Sequence, residues 1–404
     1  MFLIKKVRKN LYIIRYICFP VFFFFRRSIW EFILLPVFFL ITLCARFRSK
    51  PIDVGIGPEP LINNVYHKKA LKMNGFSVET FVNQVYFITS SFDVRADKCF
   101  KGCEYFIPYF LYLRIIFKYK IIYIYFNGGP LAWSGIYKHF EPFFYRLAKV
   151  KVVVMPYGGD IQDILLSHNL LFRNSLGKDY PLFQKKCRSI IIQNVEKWTN
   201  NADYVISGCD WVHYMYHWDK LMLGHFSIDT DVLCPVKIVK SKKAPVKILH
   251  APNHKNIKGT DFFIRAVDEL KEEGYSVELV LIQKMPNEKV KELMQEADII
   301  ADQLIIGWYA MTALEAMCYE KPVLCYLDPD LVDLYHAEGL ISGPDELPLV
   351  NCSFKNVKEK IKWLIDNPKK RLEIGKKGRE FAIKHHSLSA VGKVFKEIND
   401  SLLR

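Results

Sequence analysis

At 404 residues the chain exceeds what one hydrophobic core of ordinary size fills, so two domains of roughly 150 to 200 residues each are expected. Half of it (51%) is apolar and 15% aromatic, with no long Gly/Ser or Pro-rich tract, which excludes extended disorder; its ten cysteines are scattered, which excludes a dense disulfide scaffold and fits a reducing compartment. The net charge of +15 is lopsided: residues 1–50 hold ten basic residues against Glu31 alone, a surplus of nine, which points to an anionic lipid surface at the N-terminus rather than a nucleic-acid groove in the body.

Two apolar stretches open the chain, Leu11 to Phe25 and Ser28 to Ala45, separated by Arg26-Arg27 and bracketed by basic clusters. At 1.5 Å per helical residue they reach about 22 and 27 Å, short of a hydrocarbon core of roughly 30 Å. Arg15, Pro20, Glu31 and Pro36 weaken them further, and no small-x-small cleavage site follows the first. Basic residues prefer the cytoplasmic side, so the pattern predicts monotopic attachment at the cytoplasmic face of a membrane, with one short span over residues 28–45 as the alternative. Cys99 and Cys103 form a close pair without a second pair or a His doublet and read as ordinary thiols.

From Pro51 onward short β-rich runs alternate with helical patterns, the signature of parallel sheets covered by helices. Strands are predicted at Ile52 to Ile56, Ser77 to Val82, Ile121 to Tyr125, Lys151 to Met155 and Tyr204 to Ser207, with helices near 62–74, 105–118, 138–148 and 184–200. A turn-rich, lysine-rich passage over 224–245 leads to a second series, with strands at Val246 to Ala251, Ser276 to Ile282, Ile299 to Ala301 and Pro322 to Tyr326, and helices near 259–272, 287–295 and 310–318. The end is helical from about Val357 to Leu403. The expected division is a basic apolar segment over 1–50, an N-terminal Rossmann-like domain over 51–234 completed by a helix at 388–404, and a C-terminal Rossmann-like domain over 235–387. Two such α/β domains face each other across a cleft at the carboxyl ends of their strands, where helix N-termini offer free N–H groups to phosphate.

Four segments together resemble the family 4 (group 1) type of GT-B glycosyltransferases, from about Pro51 to the end. The first runs from Ala297 through Asp302-Gln-Leu-Ile-Ile-Gly-Trp-Tyr309 to Glu315-Ala-Met and Lys321-Pro-Val323, where the family carries Glu-x7-Glu, Ala-Met and Lys-Pro-Val. Glu315 matches the second acid, which the resemblance assigns to the ribose of the donor. Gly307 stands where the first acid contacts the sugar, leaving Asp302, Gln303 and the backbone of Gly307, Trp308 and Tyr309 to bind sugar or phosphates. The second segment, Leu249 to Thr260, is similar to the family's basic phosphate loop. There Lys258 beside Gly259, on a helix start, would neutralise the departing nucleoside diphosphate, with Asn253, His254 or Lys255 in place of a partner arginine. The third, Phe226 to Pro235, looks like the family's Ile-Asp-Thr-Asp passage between domains; Asp229 and Asp231 are expected to fix turns there.

The fourth is a set of three N-terminal loops, Gly57-Pro-Glu-Pro-Leu-Ile-Asn-Asn64, Asn127-Gly-Gly-Pro130 and Pro156-Tyr-Gly-Gly-Asp160. Their glycines are expected to let a ligand approach the backbone. Gly57, Glu59, Asn63, Gly128, Gly129 and Tyr157 are the acceptor-side candidates. Asp160 resembles the acid of the family's His-Gly-Ser-Asp loop and, with Glu59 and His139, is a candidate catalytic group. Asp160, Lys258 and Glu315 thus form the expected catalytic set. His213 and His217, placed on one helical face at i, i+4, lack the glutamate and third ligand of a zinc site, and the resemblance implies neither metal nor cofactor. It implies sugar transfer, with retained configuration, from a nucleotide sugar to a membrane-presented glycan or lipid-linked acceptor. A non-catalytic GT-B scaffold and a nucleotide-sugar epimerase are the alternatives.

Overall fold

The computed structural model describes residues 19–404 apart from 86–88, 237–240, 242–243 and 284. The basic residues before Phe19 and the linker lysines Lys237, Lys240, Lys242 and Lys243 therefore lie outside the described residues.

The described residues begin with α1 (Phe19–Ala45), one helix running through both the Arg26-Arg27 pair and Pro36. The expected break at Arg26-Arg27 is therefore no break in the helix, while Leu11 to Cys18 of the first apolar stretch lie outside the described residues. Arg27 does not interrupt the helix because its Nε reaches Glu31 one turn on, at 3.1 Å, so the two charges neutralise each other. At about 1.5 Å per residue α1 is roughly 40 Å long, and its part Arg27–Ala45 is apolar enough, by length and composition, to cross a membrane. One face is nevertheless docked on the body. Phe38 stacks on Tyr112 (4.7 Å) and Tyr137 (4.2 Å), and Thr42 shares a 2.8 Å hydrogen bond with Tyr112.

The first parallel sheet takes β1 (Ile52–Ile56), β2 (Val78–Val82), β3 (Val94–Arg95), β4 (Tyr119–Tyr125), β5 (Lys151–Met155), β6 (Tyr204–Ser207) and β7 (Lys220–Leu221), in the order 3-2-1-4-5-6-7. Its helices are α2 (Ile62–Met73), α3 (Ile107–Lys118), α4 (Glu141–Leu147), α5 (Leu170–Asp179) and α6 (Phe183–Asn201). The second sheet takes β8 (Val246–His250), β9 (Val277–Leu281), β10 (Ile299–Gln303), β11 (Val323–Cys325) and β12 (Val350–Asn351), in the order 12-11-10-8-9, again parallel. Around it lie α7 (Lys255–Lys258), α8 (Thr260–Glu272), α9 (Asn287–Glu296), α10 (Met311–Cys318), α11 (Pro329–Ala337), α12 (Val357–Asp366) and α13 (Pro368–Phe381). Finally α14 (Leu388–Leu403) returns to the first half and packs on α2, with Gly392 against the backbone of Ala70 and Asn399 accepting a 2.8 Å hydrogen bond from Tyr123.

Central strands such as β4 read IIYIY and are buried on both faces, the continuous apolar run a helix-covered parallel sheet demands. The strand order reverses between β1 and β4 in one sheet and between β8 and β10 in the other. Crevices open at such switch points, beyond the carboxyl ends of the strands, so the loops after β1, β4, β8 and β10 are placed by topology to hold a ligand.

Candidate active site

A cavity of about 510 Å³ lies between the halves, bounded by Tyr157, Gly158 and Asp210 on one side and by Asn253, Lys258 and Trp308 on the other. On the second half, β8 delivers the chain to Asn253 and His254, and α7 follows as a single turn. Lys258 closes that turn rather than opening a helix: Gly259 takes φ +75° as its left-handed cap, and α8 starts immediately after. Lys258 is buried, its residue only 9% exposed, and its ammonium is held at 2.7 Å by Asp302, at the end of β10. His250 beneath them is tied to Ala301 O (2.7 Å) and Thr260 (2.9 Å), and burial lowers its pKa to about 4, so it stays neutral beside the lysine.

Gln303 does not face the cavity. Its Oε1 accepts from the amides of Ile305 and Ile306 at 2.8 and 2.7 Å, and its Nε2 donates to Trp308 O and Tyr326 O, so it shapes the loop from within. Gly307 has φ +108°, and a Cβ there would lie 3.0 Å from that of Asp328. An acid at this position, where the resemblance places one, would be strained in this conformation, because an L-residue rarely adopts this backbone angle. Trp308 and Tyr309 are buried, Trp308 stacked on Tyr335 at 4.6 Å, and its indole N–H has no partner among the described residues. The next element, α10, has Ala310 on the cavity wall as its N-cap, and among the described residues no side chain caps its N-terminus. Its first amides are thus left to water or to a ligand, at the positive end of the helix.

Glu315 sits one turn further along α10 and does not line this cavity. Its carboxylate turns to α9, where Asn287 donates at 3.3 Å and Lys291 lies at 3.4 Å. Burial raises its pKa and Lys291 opposes the rise, while Lys291 also hydrogen-bonds Tyr66 of α2. Lys258 and Glu315 therefore flank different parts of the same seam between halves.

The first half supplies three loops, joined by one network. Asn127, after β4, donates to Glu59, after β1, at 3.1 Å and to Tyr157, after β5, at 2.8 Å. Of these residues Tyr157 reaches the cavity wall. Asp160 is fully buried; its carboxylate accepts from the amides of Tyr157, Gly158 and Phe126, each at 3.0 Å, and burial lifts its pKa to about 7. Asp160 hence pins two loops together. Of the loop glycines expected to admit a ligand, Gly158 and Gly159 line the cavity, whereas Gly57, Gly128 and Gly129 admit neighbouring protein groups instead. A Cβ on Gly57 would meet Phe81 O at 2.0 Å, and one on Gly129 would meet Tyr145 and Glu141 at 2.3 and 2.5 Å. Gly128, at φ +98°, lies against Trp198 and the same buried glutamate. Asn63 is bonded to His67 (2.7 Å) and to the amide of Ser227 (3.3 Å), tying α2 to the passage between halves. His139 is exposed on a turn outside the cavity. His213 lies in a short turn over Cys209–Tyr214 that ends before His217, so the two share no helical face.

Three site residues escape a sequence reading. Asp210 lines the cavity opposite Lys258, and its carboxyl rises to about 7 through burial, with hydrogen bonding from Gln162 and the charge of Lys258 opposing. Its position just beyond the carboxyl end of β6 was the available signal. Asp179, ending α5, accepts from the amide of Ile257 (2.9 Å) and from Asn256 Nδ2 (2.6 Å), and Tyr180 meets His254 at 2.5 Å. A carboxylate thus already sits on the amides of α7, from a partner 77 and 78 positions away that no local pattern announces. Among the described residues no group of three His, Cys, Asp or Glu is arranged to hold a metal ion.

Residues 257–381 match the family model for glycosyl transferases group 1. No curated protein matches the chain. Among solved structures it is similar to sucrose-phosphate synthase from Thermosynechococcus elongatus, at 12% identity and a TM-score of 0.58 over 88% of this chain and 99% of that one. It is also similar to HepE from Anabaena in complex with UDP, at 12% identity and a TM-score of 0.51 over 87% and 100% of the two chains. Likeness at this identity speaks for the fold, and the match over 257–381 for the half that carries Lys258, Asp302 and Glu315. Residues 257–381 thus carry a glycosyl transferases group 1 domain, and the chain as a whole shares the two-domain fold of these solved structures.

Proposed function

We propose that the chain moves a hexose-type sugar from a nucleoside diphosphate sugar to a glycan or lipid-linked acceptor at the cytoplasmic face of a membrane, with residues 235–387 holding the donor and 51–234 with α14 the acceptor. The supporting observation is the surroundings of Lys258: a buried cation, the uncapped start of α10 and the unpartnered indole N–H of Trp308 around one cavity. As the sugar–phosphate bond breaks, charge gathers on the diphosphate. Lys258, released in part from Asp302, and the first amides of α10 hold that charge in a site shielded from water. Asp210, with its carboxyl near neutrality, faces the acceptor hydroxyl and takes its proton. Asp160 positions the Tyr157–Gly158 loop beside it, and Glu315 receives the ribose when Lys291 yields. Retention of configuration and metal-free transfer belong to the same reading. The UDP in the HepE complex makes uridine diphosphate sugars the first donors to try.

The test is release of nucleoside diphosphate from a panel of nucleotide sugars by the purified full chain, with and without membrane extract. Release that depends on the extract is expected. Nucleotide binding without release would favour a non-catalytic scaffold, a reading to which Asp179 on the α7 amides lends support; conversion of free donor without acceptor would favour an epimerase.

A further inference from the structure

A second cavity, about 710 Å³, lies between α1 and α3, away from the cleft. Leu34, Val37 and Ile41 on one helix face Tyr105, Tyr109 and Leu113 across it. From Arg27 to Ile41 this face extends about 21 Å at 1.5 Å per residue. Its walls are hydrocarbon and aromatic along that length, and polarity is confined to one end.

At that end Arg27 lies over the rings of Tyr105 and Tyr109, at 4.7 and 5.3 Å, and donates through Nε to Glu31 (3.1 Å) and Tyr109 (3.0 Å). Its Nη2 is buried yet has no acceptor among the described residues. Glu31, 2% exposed, is saturated: it accepts from Arg27, the Tyr109 hydroxyl and the amides of Gly135 and Ile136. With the carboxylate fully engaged, the open guanidinium N–H is left for an anion from outside.

We propose that this groove binds the hydrocarbon chain of a phosphorylated membrane lipid, with the phosphate at Arg27. Four observations favour that occupant over a protein partner. The groove runs along the helix whose remaining face exposes Ile29, Phe32, Ile33 and Leu40, by 55, 69, 55 and 58%, so its open side is continuous with a surface built for lipid. The one unsatisfied polar atom at its end is cationic. The basic surplus of residues 1–50 favours anionic headgroups. Lastly, the segment 127–136 is gripped at both ends: Asn127 bonds Tyr157 of the cleft, and Gly135 and Ile136 bond Glu31 at the groove. A lipid seated here lies against the far end of an acceptor-side loop, which deepens the reading of a lipid-linked acceptor and rests on its membrane-facing part.

The experiment uses the full chain with vesicles of phosphatidylcholine doped with phosphatidic acid bearing a photoactivatable diazirine at the acyl terminus, and with diacylglycerol bearing the same tail. Cross-links are expected on the groove walls, at Leu34 to Ile41 and Leu113, and about tenfold more with the phosphatidic acid, the loss expected when a charge-assisted hydrogen bond is absent. Filling the groove by Leu113→Trp should remove them and leave UDP binding unchanged. Arg27→Gln should equalise the two lipids. Cross-links confined to the outward residues Phe32 and Leu40, equal labelling by both lipids in the wild type, or labelling indifferent to Leu113→Trp would overturn the proposal, as would a dimer that shields the groove from both probes. Cross-linking is read without sugar transfer, so failure of the enzyme reading leaves this result standing, and the reverse.

Discussion

Lys258 carries its charge into a position nearly closed to water, and Asp302 at 2.7 Å makes that tolerable. Lys258→Ala should lower kcat/KM by roughly ten- to a hundredfold, about 1.4–2.7 kcal/mol, and also lower Tm by stranding Asp302. Adding Asp302→Asn should restore Tm and leave activity low; recovery of both together would assign Lys258 a purely structural role. Gly307→Glu, which writes the family's first acid back in, should fail to raise transfer and should destabilise the protein by about 1–3 kcal/mol, since φ +108° with Asp328 alongside admits no side chain without strain. Thermal melts and initial rates decide it. Asp210 gives a pH signature. Its folded pKa of about 7 exceeds the ordinary 3.8, so the folded state holds the proton more tightly, and stability present at low pH is lost as pH rises toward and through 7. The Tm of Asp210→Asn should therefore gain on wild type between pH 5 and pH 8; a constant difference would mean that Asp210 ionises at its ordinary pKa.

At the scale of elements, α1 is the part whose character changes most between sequence and structure. Composition marks it as an anchor, yet Phe38, Glu31 and Thr42 dock it on α3 and on the turn at Tyr137. A chain beginning at residue 51 should leave the membrane and also lose stability, with Phe38→Ala alone removing about 3–5 kcal/mol; an unchanged Tm in both would make the docking incidental. The central strands were legible because β1, β4, β5 and β8 are short runs of five to seven residues rich in β-branched, aromatic and other apolar side chains. Two-residue edge strands such as β3, β7 and β12 carry no period to read. The start of α11 was legible in principle, with Asp328 capping the amide of Asp330 at 3.1 Å and Pro329 opening the helix. The continuity of α1 was hidden because its break-like Arg27 is neutralised by Glu31 and Tyr109, the latter 82 positions away.

For the whole molecule, the strand orders place both sheets' switch points toward one seam, and Lys258, Asp210 and Trp308 meet there. Lysine and the α10 start could be read from sequence because they are local; Asp179, Asp210 and the packing reasons for Gly57, Gly129 and Gly307 could not, because each depends on a partner distant in the chain. The central claim is that the diphosphate is held by Lys258 and the first turn of α10. Calorimetric titration of UDP and of uridine into wild type and Lys258→Ala tests it most directly. The account predicts that the substitution weakens UDP by about ten- to a hundredfold, equivalent to about 1.4–2.7 kcal/mol, with uridine unaffected. Equal loss for both ligands, or unchanged UDP affinity, would contradict it.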